Sequence, residues 1–183
     1  MPLLTWRPRP LPEPRDRSLA SWLTEPGSLT TRCGRNCQVF RVRLLAQGSG
    51  RLAADEAAFF ALRSGLKAWR REVVLECDGV PVIYARTVLP HQPRGRLGCW
   101  LAGLGSRSLG SLLFIHPGFE RASLHFLRLG PGHALFRRAA GFVPGEGCSP
   151  TTLWSRRCGH RFGGQTLLVT EVFLPAIRDL RRP

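Results

Sequence analysis

The sequence predicts a single α+β domain built on an antiparallel sheet that is flanked by helices. Two hairpins carry this prediction, because strand patterns lie on both sides of the turn sequences Asp78-Gly79 and Gly163-Gly164. Segments with helical spacing lie before and between the hairpins. Strands are predicted over six segments, which are residues 38–45, 71–77, 82–89, 123–129, 153–162 and 165–174.

The predicted helices begin and end at recognisable signals. Ser18 is a candidate N-cap for the first helix, and Pro26-Gly27-Ser28 breaks the chain after it. Asp55 and Glu56 favour the start of the second helix, because carboxylates stabilise the positive end of a helix dipole. The four helical segments are residues 18–24, residues 53–69 with a break at Gly65, the later part of residues 103–114 after an opening loop, and residues 133–140.

The two ends of the chain differ in composition from its middle. Residues 1–17 are rich in Pro and Arg and lack periodicity, so we expect a loose N-terminal arm. The length of 183 residues favours one domain with a sizeable core. We place this domain at residues 18–177 and expect a short tail over residues 178–183.

The sequence also bounds the compartment and the metal content. It has no apolar run of about 18 residues that could span a membrane. Prolines and arginines from Trp6 onward interrupt the apolar stretch that a signal peptide needs. We therefore expect the six cysteines to be reduced thiols in the cytoplasm. Cys33 and Cys37 are the only close pair, and no His pair has suitable spacing, so we expect no metal site.

The formal charge of +15 is the strongest argument for a nucleic-acid or anionic-surface partner. However, 26 of the 27 basic residues are arginines, and they are spread along the whole chain. Clustered aromatic residues and known nucleic-acid motifs are missing. We therefore expect neither a nucleic-acid nor a membrane partner, and we interpret the charge as a field that attracts a small dianion.

Two charged residues lie on apolar faces of predicted strands. Burial of an unpaired charge is costly, so such residues are either paired or used in function. No nearby cation in the sequence shares the face of Glu171. A cation and an anion placed in this way predict a cavity with two polar ends. Alternate strand residues share a face, so Glu171 lies with Leu167, Val169 and Phe173, and Arg71 lies with Val73, Leu75 and Cys77.

Motifs for nucleotide binding, serine hydrolysis and zinc proteolysis are missing from the sequence, so we expect no cofactor. The five histidines are scattered, and we interpret each of them as structural. Arg156 and Arg157 are adjacent, and adjacent strand residues point to opposite faces. We therefore interpret this pair as no more than a weak phosphate-binding patch.

Six short motifs follow one another along the chain: Trp69-x-Arg71-Glu72, Asp78-Gly79-x-Pro81, Arg86-Thr87-Val88-x-Pro90, Leu104-Gly105-x-x-x-Leu109-Gly110-x-x-Leu113-Phe114, Leu153-Trp154-x-Arg156-Arg157 and Leu167-Leu168-x-Thr170-Glu171-x-Phe173-Leu174-Pro175-Ala176. Each motif alone is weak evidence for a protein family, but the order and spacing of all six are specific to one. Together they resemble the chorismate lyase family over roughly residues 18–177.

The resemblance implies a cofactor-free lyase that converts chorismate to 4-hydroxybenzoate and pyruvate, the first step of ubiquinone biosynthesis. It also implies a six-stranded antiparallel sheet with the ligand buried beneath two flaps. On the residues that match the family's motifs, Arg71 binds a carboxylate of the ligand and Glu171 is the acid. Leu29 and Leu109 are the matching flap residues, which contact the ligand through their backbone. Leu29 replaces a residue that is usually Met in the family, and a backbone contact tolerates that change.

The chemistry of the residues agrees with this implication. Arg71 can hold the ring carboxylate as a planar fork, and Glu171 can meet the ring hydroxyl. Glu171 could act as an acid, as a base or only as an orienting group. Arg86 is a candidate for the second carboxylate, with a surface ion pair as the alternative.

The rival interpretation is a non-catalytic module that binds a small molecule. Effector domains of some transcription regulators have the fold that the resemblance implies, but they follow a winged-helix DNA-binding domain. About 17 residues precede the first predicted helix here, and they cannot hold a helix-turn-helix. The expectation is therefore a monomeric enzyme of the cytoplasm.

Overall fold

The computed structural model describes residues 5–10, 16–143 and 150–180, which form an antiparallel sheet with helices on both faces. The strands are β1 Phe40–Arg51, β2 Lys67–Cys77, β3 Val80–Leu89, β4 Glu120–Arg121, β5 His125–Leu129, β6 Leu153–Phe162 and β7 Gln165–Phe173. Their order in the sheet is β1-β2-β3-β7-β6-β4, and β5 also pairs with β6. The predicted α+β class and antiparallel sheet are confirmed.

The sheet has one strand more than the six that were predicted. β4 and β5 lie end to end along the same edge of β6, where they pair with residues 160–161 and 153–157. The backbone N–H of Ala122 donates to the carbonyl oxygen of Gly159 at 2.9 Å in the gap between them. The predicted strand over residues 123–129 is therefore the second part of an interrupted edge strand.

Six short α-helices and one 3-10 helix are described, and none of these helices has the length and apolar character needed to cross a membrane. The first helix begins after Asp16 and not after Ser18, because Asp16 Oδ1 accepts hydrogen bonds from the backbone N–H groups of Ser18 and Leu19. The helices are α1 Arg17–Leu23, α2 Leu29–Gly34, α3 Ala54–Phe59, α4 Gly95–Ala102, α5 Leu109–Ile115, α6 Ala134–Ala140 and the 3-10 helix Pro175–Asp179.

The predicted helix over residues 53–69 is wrong beyond residue 59. Ala61 and Gly65 adopt positive φ angles of 53° and 78°, and β2 begins two residues later. Ala68, predicted to be helical, lies opposite Gly50 of β1 in the sheet and is buried. Pairing with β1 therefore outweighs the helical propensity of this segment.

The sheet separates two layers of helices. Val73 of β2 packs in one core cluster with α1 and α2, whereas Val74 packs in another with α6. α4 and α5 lie on the same face as α1 and α2, and α3 lies with α6 on the other face. The alternation of β2 and β7 therefore places Arg71 and Glu171 on the face that α1, α2, α4 and α5 cover.

The described part of the N-terminal arm is packed, in contrast to the loose arm that was predicted. Trp6 is buried, and its indole N–H donates to Asp55 Oδ2 at 3.2 Å. Arg7 pairs with Phe126 of β5 through two backbone hydrogen bonds of 3.0 and 2.7 Å. This segment thus extends the β5 edge of the sheet. Residues 1–4 and 11–15 of the arm and residues 181–183 of the tail lie outside the described residues, and the domain bounds at 18 and 177 stay predictions.

Candidate active site

A largely enclosed cavity lies between the sheet and helices α2 and α5. Leu29 and Leu109, the first residues of these helices, cover it and are 2% and 6% exposed. Arg71 and Glu171 also line it, so the structure brings all four predicted site residues around one cavity. The floor consists of alternate strand residues, and its apolar members include Val73, Leu75, Ala85 and Val169.

Arg71 is a buried cation of the cavity, with 2% of its surface exposed. Its Nε donates to Gln47 Oε1 at 3.2 Å, and its Nη2 donates to the carbonyl oxygens of Gly105 and Arg107, both at 2.9 Å. No carboxylate of the described residues lies within ion-pairing distance of it. Burial lowers the pKa of Arg71 to about 10. The guanidinium is therefore oriented by neutral acceptors and keeps its charge at neutral pH.

The contacts of Arg71 modify the predicted planar fork. Three of its five N–H groups already donate to the protein, which leaves the two on Nη1 for a ligand. Arg71 also holds the loop between α4 and α5, because Gly105 and Arg107 precede the flap helix α5. Sequence reasoning missed Gln47, which lies opposite Arg71 in the ladder of β1 and β2.

Glu171 is the carboxylate of the cavity, and its side chain is 20% exposed. Its Oε2 accepts a hydrogen bond from Arg156 Nε at 2.6 Å. No cation local in the sequence was expected on the face of Glu171, and its partner indeed lies 15 residues away, on the neighbouring strand β6. Oε1 of Glu171 has no hydrogen-bond donor among the described residues, so it is the oxygen left for a ligand.

Arg156 is a site residue that the sequence interpretation missed. It is 2% exposed, and its Nη1 donates to the carbonyl oxygens of Leu23 and Glu25 at 3.3 and 2.7 Å. It therefore ties Glu171 to the segment that leads into α2. Arg157 points to the other face of the sheet, as predicted from strand geometry, and lies over the ring of Trp6. The hairpin of β6 and β7 could have identified Arg156 from the sequence, because its register sets which residue lies opposite Glu171.

The register of that hairpin follows from its turn. Gly163-Gly164 places Phe162 opposite Gln165, and regular pairing back from the turn places Arg156 opposite Glu171. Directly opposed residues of an antiparallel pair point to the same face. The position of the turn was therefore enough to predict that Arg156 and Glu171 lie side by side on one face.

Arg71 and Glu171 lie at opposite ends of the cavity floor. Arg71 is level with Thr87 of β3 and with Val169 of β7, and Glu171 is two residues further along β7. Strand spacing and rise per residue place their Cα atoms about 12 Å apart. Both side chains line the cavity from these positions.

The two flaps start at helix N-termini that face the cavity. Ser28 Oγ accepts a hydrogen bond from the Thr31 N–H at 3.3 Å and so caps α2 just before Leu29. The backbone N–H groups of Leu29 and Leu109 have no acceptor among the described residues. They are therefore candidate donors to a ligand anion, as the resemblance implies.

The flaps touch each other above the cavity. Ser108 Oγ donates to Thr30 Oγ1 at 2.6 Å, which joins the start of α5 to α2. A Cβ on Gly110 would lie 2.9 Å from Ser28 Oγ and 3.0 Å from Thr30 Oγ1. This contact explains the glycine of the Leu-Gly motif, because a side chain there would push the flaps apart.

Arg86 is not in the cavity, which corrects its interpretation as a ligand for the second carboxylate. It is buried on the opposite face, where its Nε donates to Glu56 Oε1 at 2.6 Å and its Nη1 to Glu72 Oε1 at 2.5 Å. It forms a buried ion pair and not the surface pair that was the alternative. Regular pairing from the turn, where Cys77 is opposite Val80, would place Arg71 opposite Arg86 and on the same face. A register shift between Leu75 and Glu76 places Arg71 opposite Thr87 instead, so Arg86 points to the other face.

His160 is a further polar residue of the cavity wall. It is 4% exposed, and its Nδ1 has no hydrogen-bond partner among the described residues. Burial first, and the charges of Arg121 and Arg156 next, lower the pKa of His160 to about 4. The imidazole is therefore neutral at pH 7.

Within the described ranges, no group of three or more His, Cys, Asp or Glu side chains is arranged to hold a metal ion. Cys33 and Cys37 lie near Cys77, and the Cys37 thiol donates to the carbonyl oxygen of Cys33 at 3.2 Å. Burial, followed by the hydrogen bond with Cys77, raises the pKa of Cys37 to about 12. Cys37 is thus a protonated thiol at neutral pH. Cys148 lies outside the described residues.

The fold and the cavity define an α+β domain with a buried, arginine-bearing pocket. The crystal structure of the effector domain of PhnF from Mycobacterium smegmatis shares this fold, with a TM-score of 0.57 at 16% identity over 81% of this chain and 89% of that chain. A GntR-family transcriptional regulator from Bacillus cereus has a TM-score of 0.52 at 10% identity over 75% of this chain and 93% of that chain. These likenesses show the fold alone.

The family of the chain follows from closer relatives. The family model for chorismate lyase matches residues 4–182. A protein of Dechloromonas aromatica (strain RCB) named "Probable chorismate pyruvate-lyase" is 56% identical over 96% of this chain and 97% of its own length. A protein of the same name from Azoarcus sp. (strain BH72) is 43% identical over 96% of this chain and 93% of its own length. The chain therefore belongs to the chorismate lyase family, and the resemblance seen in its motifs is confirmed.

Proposed function

We propose that the protein eliminates pyruvate from chorismate and releases 4-hydroxybenzoate, with the reaction in the cavity between Arg71 and Glu171. One observation carries the proposal: a buried cation without a carboxylate partner and a carboxylate lie at the two ends of one apolar cavity, within the described part of the chain. The names of the relatives support chorismate as the substrate.

The proposed binding mode assigns each end of the ring to one set of groups. The ring carboxylate accepts hydrogen bonds from Arg71 Nη1 and from the backbone N–H groups of Leu29 and Leu109. The apolar floor contacts the ring, and Glu171 Oε1 accepts a hydrogen bond from the ring hydroxyl. Arg156 holds the carboxylate of Glu171 in place through the 2.6 Å contact.

The reaction needs orientation more than it needs a strong nucleophile. The C–H bond at the hydroxyl-bearing carbon breaks, and the ether bond on the neighbouring carbon breaks with it. The electron pair of the C–H bond becomes part of the aromatic ring, and the ether oxygen leaves as enolpyruvate, which takes up a proton to become pyruvate. Aromatisation makes this step downhill, so positioning and charge placement are the main contributions of the protein.

The stoichiometry is the reason that we propose a cofactor-free reaction. Chorismate contains the same atoms as 4-hydroxybenzoate and pyruvate together, so no oxidant, reductant or water is consumed. By the same family relationship we propose that the product enters ubiquinone biosynthesis as its first intermediate. The cytoplasmic location and the monomeric state stay predictions.

The proposal is tested by incubating the purified protein with chorismate in the presence of EDTA. We expect 4-hydroxybenzoate and pyruvate to appear in equal amounts. A non-catalytic binding module would bind 4-hydroxybenzoate and leave chorismate unchanged. Activity that disappears with EDTA and returns with a divalent ion would contradict the cofactor-free reaction.

A further inference from the structure

The cavity wall formed by β4 and β6 carries polar groups that the ring carboxylate and the ring hydroxyl leave unused. His160 lines this wall, and its buried Nδ1 lacks a partner in the described part of the chain. A buried nitrogen without a hydrogen bond is costly, so its presence points to a group that completes the bonding. The other such side-chain atom found among the described residues, Nε of Arg157, lies on the opposite face of the sheet.

Arg121 lies beside His160. The two residues are directly opposed in the ladder of β4 and β6, and Arg121 also lines the cavity. Arg121 is exposed at the mouth, and its Nη1 donates to the carbonyl oxygen of Pro26. Its charge acts on the cavity wall, because after burial it lowers the pKa of His160 and, by a side-chain hydrogen bond, opposes the rise that burial causes in the pKa of Cys158.

The charge of the cavity fits a ligand with two negative charges. The charged side chains that line it in the described structure are Arg71, Arg121, Arg156 and Glu171, which sum to two positive charges. Chorismate carries two carboxylates, whereas 4-hydroxybenzoate carries one. The cavity therefore has one cationic charge more than the product needs.

The other arginines near the cavity have roles that do not fit the second carboxylate. Arg156 donates to Glu171 and to two backbone carbonyls, and Arg86 lies on the opposite face. In chorismate the enolpyruvyl ether is attached next to the hydroxyl-bearing carbon. His160 of the neighbouring strand β6 lies opposite Leu167, so its Cα atom is about 14 Å from that of Glu171. Both side chains line the same cavity, and with the hydroxyl at Glu171 the second carboxylate can lie between them.

We propose that His160 and Arg121 form the subsite for the carboxylate of the enolpyruvyl group. The inference rests on the proposed function, because it names the part of the site that holds the leaving half of the substrate. His160 donates a hydrogen bond from its ring, and Arg121 supplies the charge at the mouth. As the ether bond breaks, the subsite holds the enolpyruvate while the aromatic product stays with Arg71.

The chemistry of His160 assigns it to binding and not to proton transfer. Burial first, and the charges of Arg121 and Arg156 next, lower the pKa of His160 to about 4. A neutral imidazole at pH 7 is a hydrogen-bond donor but a poor general acid. The subsite is therefore a positioning device for the substrate.

The test compares chorismate turnover with product binding in two variants. For His160→Leu we expect kcat/KM for chorismate to fall roughly 10- to 100-fold, the range for losing a hydrogen bond to a charged group. The Kd for 4-hydroxybenzoate should stay unchanged, because the product lacks the second carboxylate. His160→Asn keeps a donor near the position of Nδ1 and should recover part of the loss. Arg121→Gln, at an exposed residue, should also lower kcat/KM and leave the product Kd unchanged.

The matched control is His125→Leu, since His125 lies on β5 outside the cavity lining and its ring contacts the carbonyl oxygen of Ser123 at 3.3 Å. It should turn over chorismate like the parent. An equal loss of product affinity in His160→Leu, or unchanged kcat/KM in both His160→Leu and Arg121→Gln, would overturn the subsite. A parent protein that forms no pyruvate would instead overturn the proposed function, and the subsite with it.

Discussion

The charged residues of the cavity are held by different kinds of partner. Arg71 donates to an amide oxygen and two carbonyl oxygens, so it is oriented without being neutralised. Glu171 is held by the guanidinium of Arg156 through one oxygen only. A carboxylate of a ligand can accept hydrogen bonds from the free N–H groups of Arg71. A hydroxyl of the same ligand can donate to the free oxygen of Glu171. At the scale of single residues, the site is thus prepared for an asymmetric ring.

Arg71→Ala is expected to weaken 4-hydroxybenzoate binding by about 2–5 kcal/mol, the range for removing one partner of a buried charged contact. The loss should exceed that of Arg71→Lys, since an ammonium cannot make all the contacts of a guanidinium. Isothermal titration of the product measures the effect. Arg41→Ala, which removes an exposed arginine of β1, is the control and should bind like the parent. Unchanged affinity in Arg71→Ala would show that Arg71 is structural.

Glu171→Gln keeps the shape of the side chain but removes its charge and its titratable proton. If Glu171 transfers a proton, turnover should fall roughly 10²- to 10⁴-fold, the usual share of general acid–base catalysis. If it only orients the hydroxyl, the Gln variant should keep much of the activity and Glu171→Ala should lose it. The deciding measurement is kcat in variants whose melting temperatures match the parent.

Glu76→Gln is the control for this series. Glu76 pairs with Arg43 at 2.6 Å on the outer part of the sheet and does not line the cavity. It should therefore leave kcat unchanged. Parental rates in both Glu171 variants would remove Glu171 from the mechanism.

At the scale of elements, α2 and α5 act as two covers that meet over the cavity. The contact is polar and local, consisting of the Ser108–Thr30 hydrogen bond and the close approach at Gly110. Arg71 holds the loop before α5, and Arg156 holds the segment before α2. Each cover is therefore anchored to a charged residue of the floor, and opening for product release must break the contact between the covers.

Thr30→Val should loosen the covers, because it removes the hydroxyl that accepts from Ser108 and keeps the side-chain volume. A neutral side-chain hydrogen bond contributes about 1 kcal/mol, so product inhibition by 4-hydroxybenzoate should weaken about fivefold. Where product release limits turnover, kcat should rise. Steady-state kinetics with added product measure both effects.

The neighbouring exposed residue offers a matched control for that experiment. Thr31→Val makes the same change on α2 at a side chain that points away from the cavity lining. It should leave the inhibition constant unchanged. Equal effects of the two substitutions would indicate a general loss of α2 stability and not a loss of the contact between the covers.

Local patterns predicted the faces of the strands but not every register. Period-2 alternation correctly placed Arg71 and Glu171 on one apolar face, because that face is set by the sequence of each strand alone. The face of the sheet to which Arg86 points could not be predicted, because it is set by a register shift in β2 that no turn residue indicates. The strand over residues 67–70 depended on pairing with β1, which local helical propensity opposes.

At the scale of the whole molecule, the two faces of the sheet differ in whether their buried charged groups have ionic partners within the protein. On the cavity face Arg71 leaves the two N–H groups of Nη1 for a ligand. On the other face Glu72 accepts from three arginines, Arg70, Arg86 and Arg138, at 2.5–2.7 Å, and from the Tyr84 hydroxyl at 3.0 Å. That network is satisfied internally, so it contributes to stability and not to binding.

Glu72→Gln is expected to lower the free energy of unfolding by roughly 3–5 kcal/mol at pH 7, the range for breaking a buried ion pair. Burial alone would raise the pKa of Glu72, but hydrogen bonds and charges from Arg70, Arg138 and Arg86 outweigh it and lower the pKa. A lowered pKa contributes stability that is present above the unfolded value of about 4.3 and is lost as the pH falls through the folded value.

The difference between parent and Glu72→Gln should therefore be large at pH 7 and should shrink below about pH 4. Urea unfolding at pH 7, 5 and 3 measures it. Glu76→Gln, at an exposed ion pair, should cost less than about 1 kcal/mol. A pH-independent difference would contradict the ionised network.

A crystal structure of the protein with 4-hydroxybenzoate would show directly how the product binds. We expect the product between the sheet and helices α2 and α5, with its carboxylate on Arg71 Nη1 and the backbone N–H groups of Leu29 and Leu109. Its phenol oxygen should lie within hydrogen-bond distance of Glu171 Oε1. A product bound outside this cavity, or bound with its carboxylate at Glu171 and its phenol at Arg71, would contradict the account.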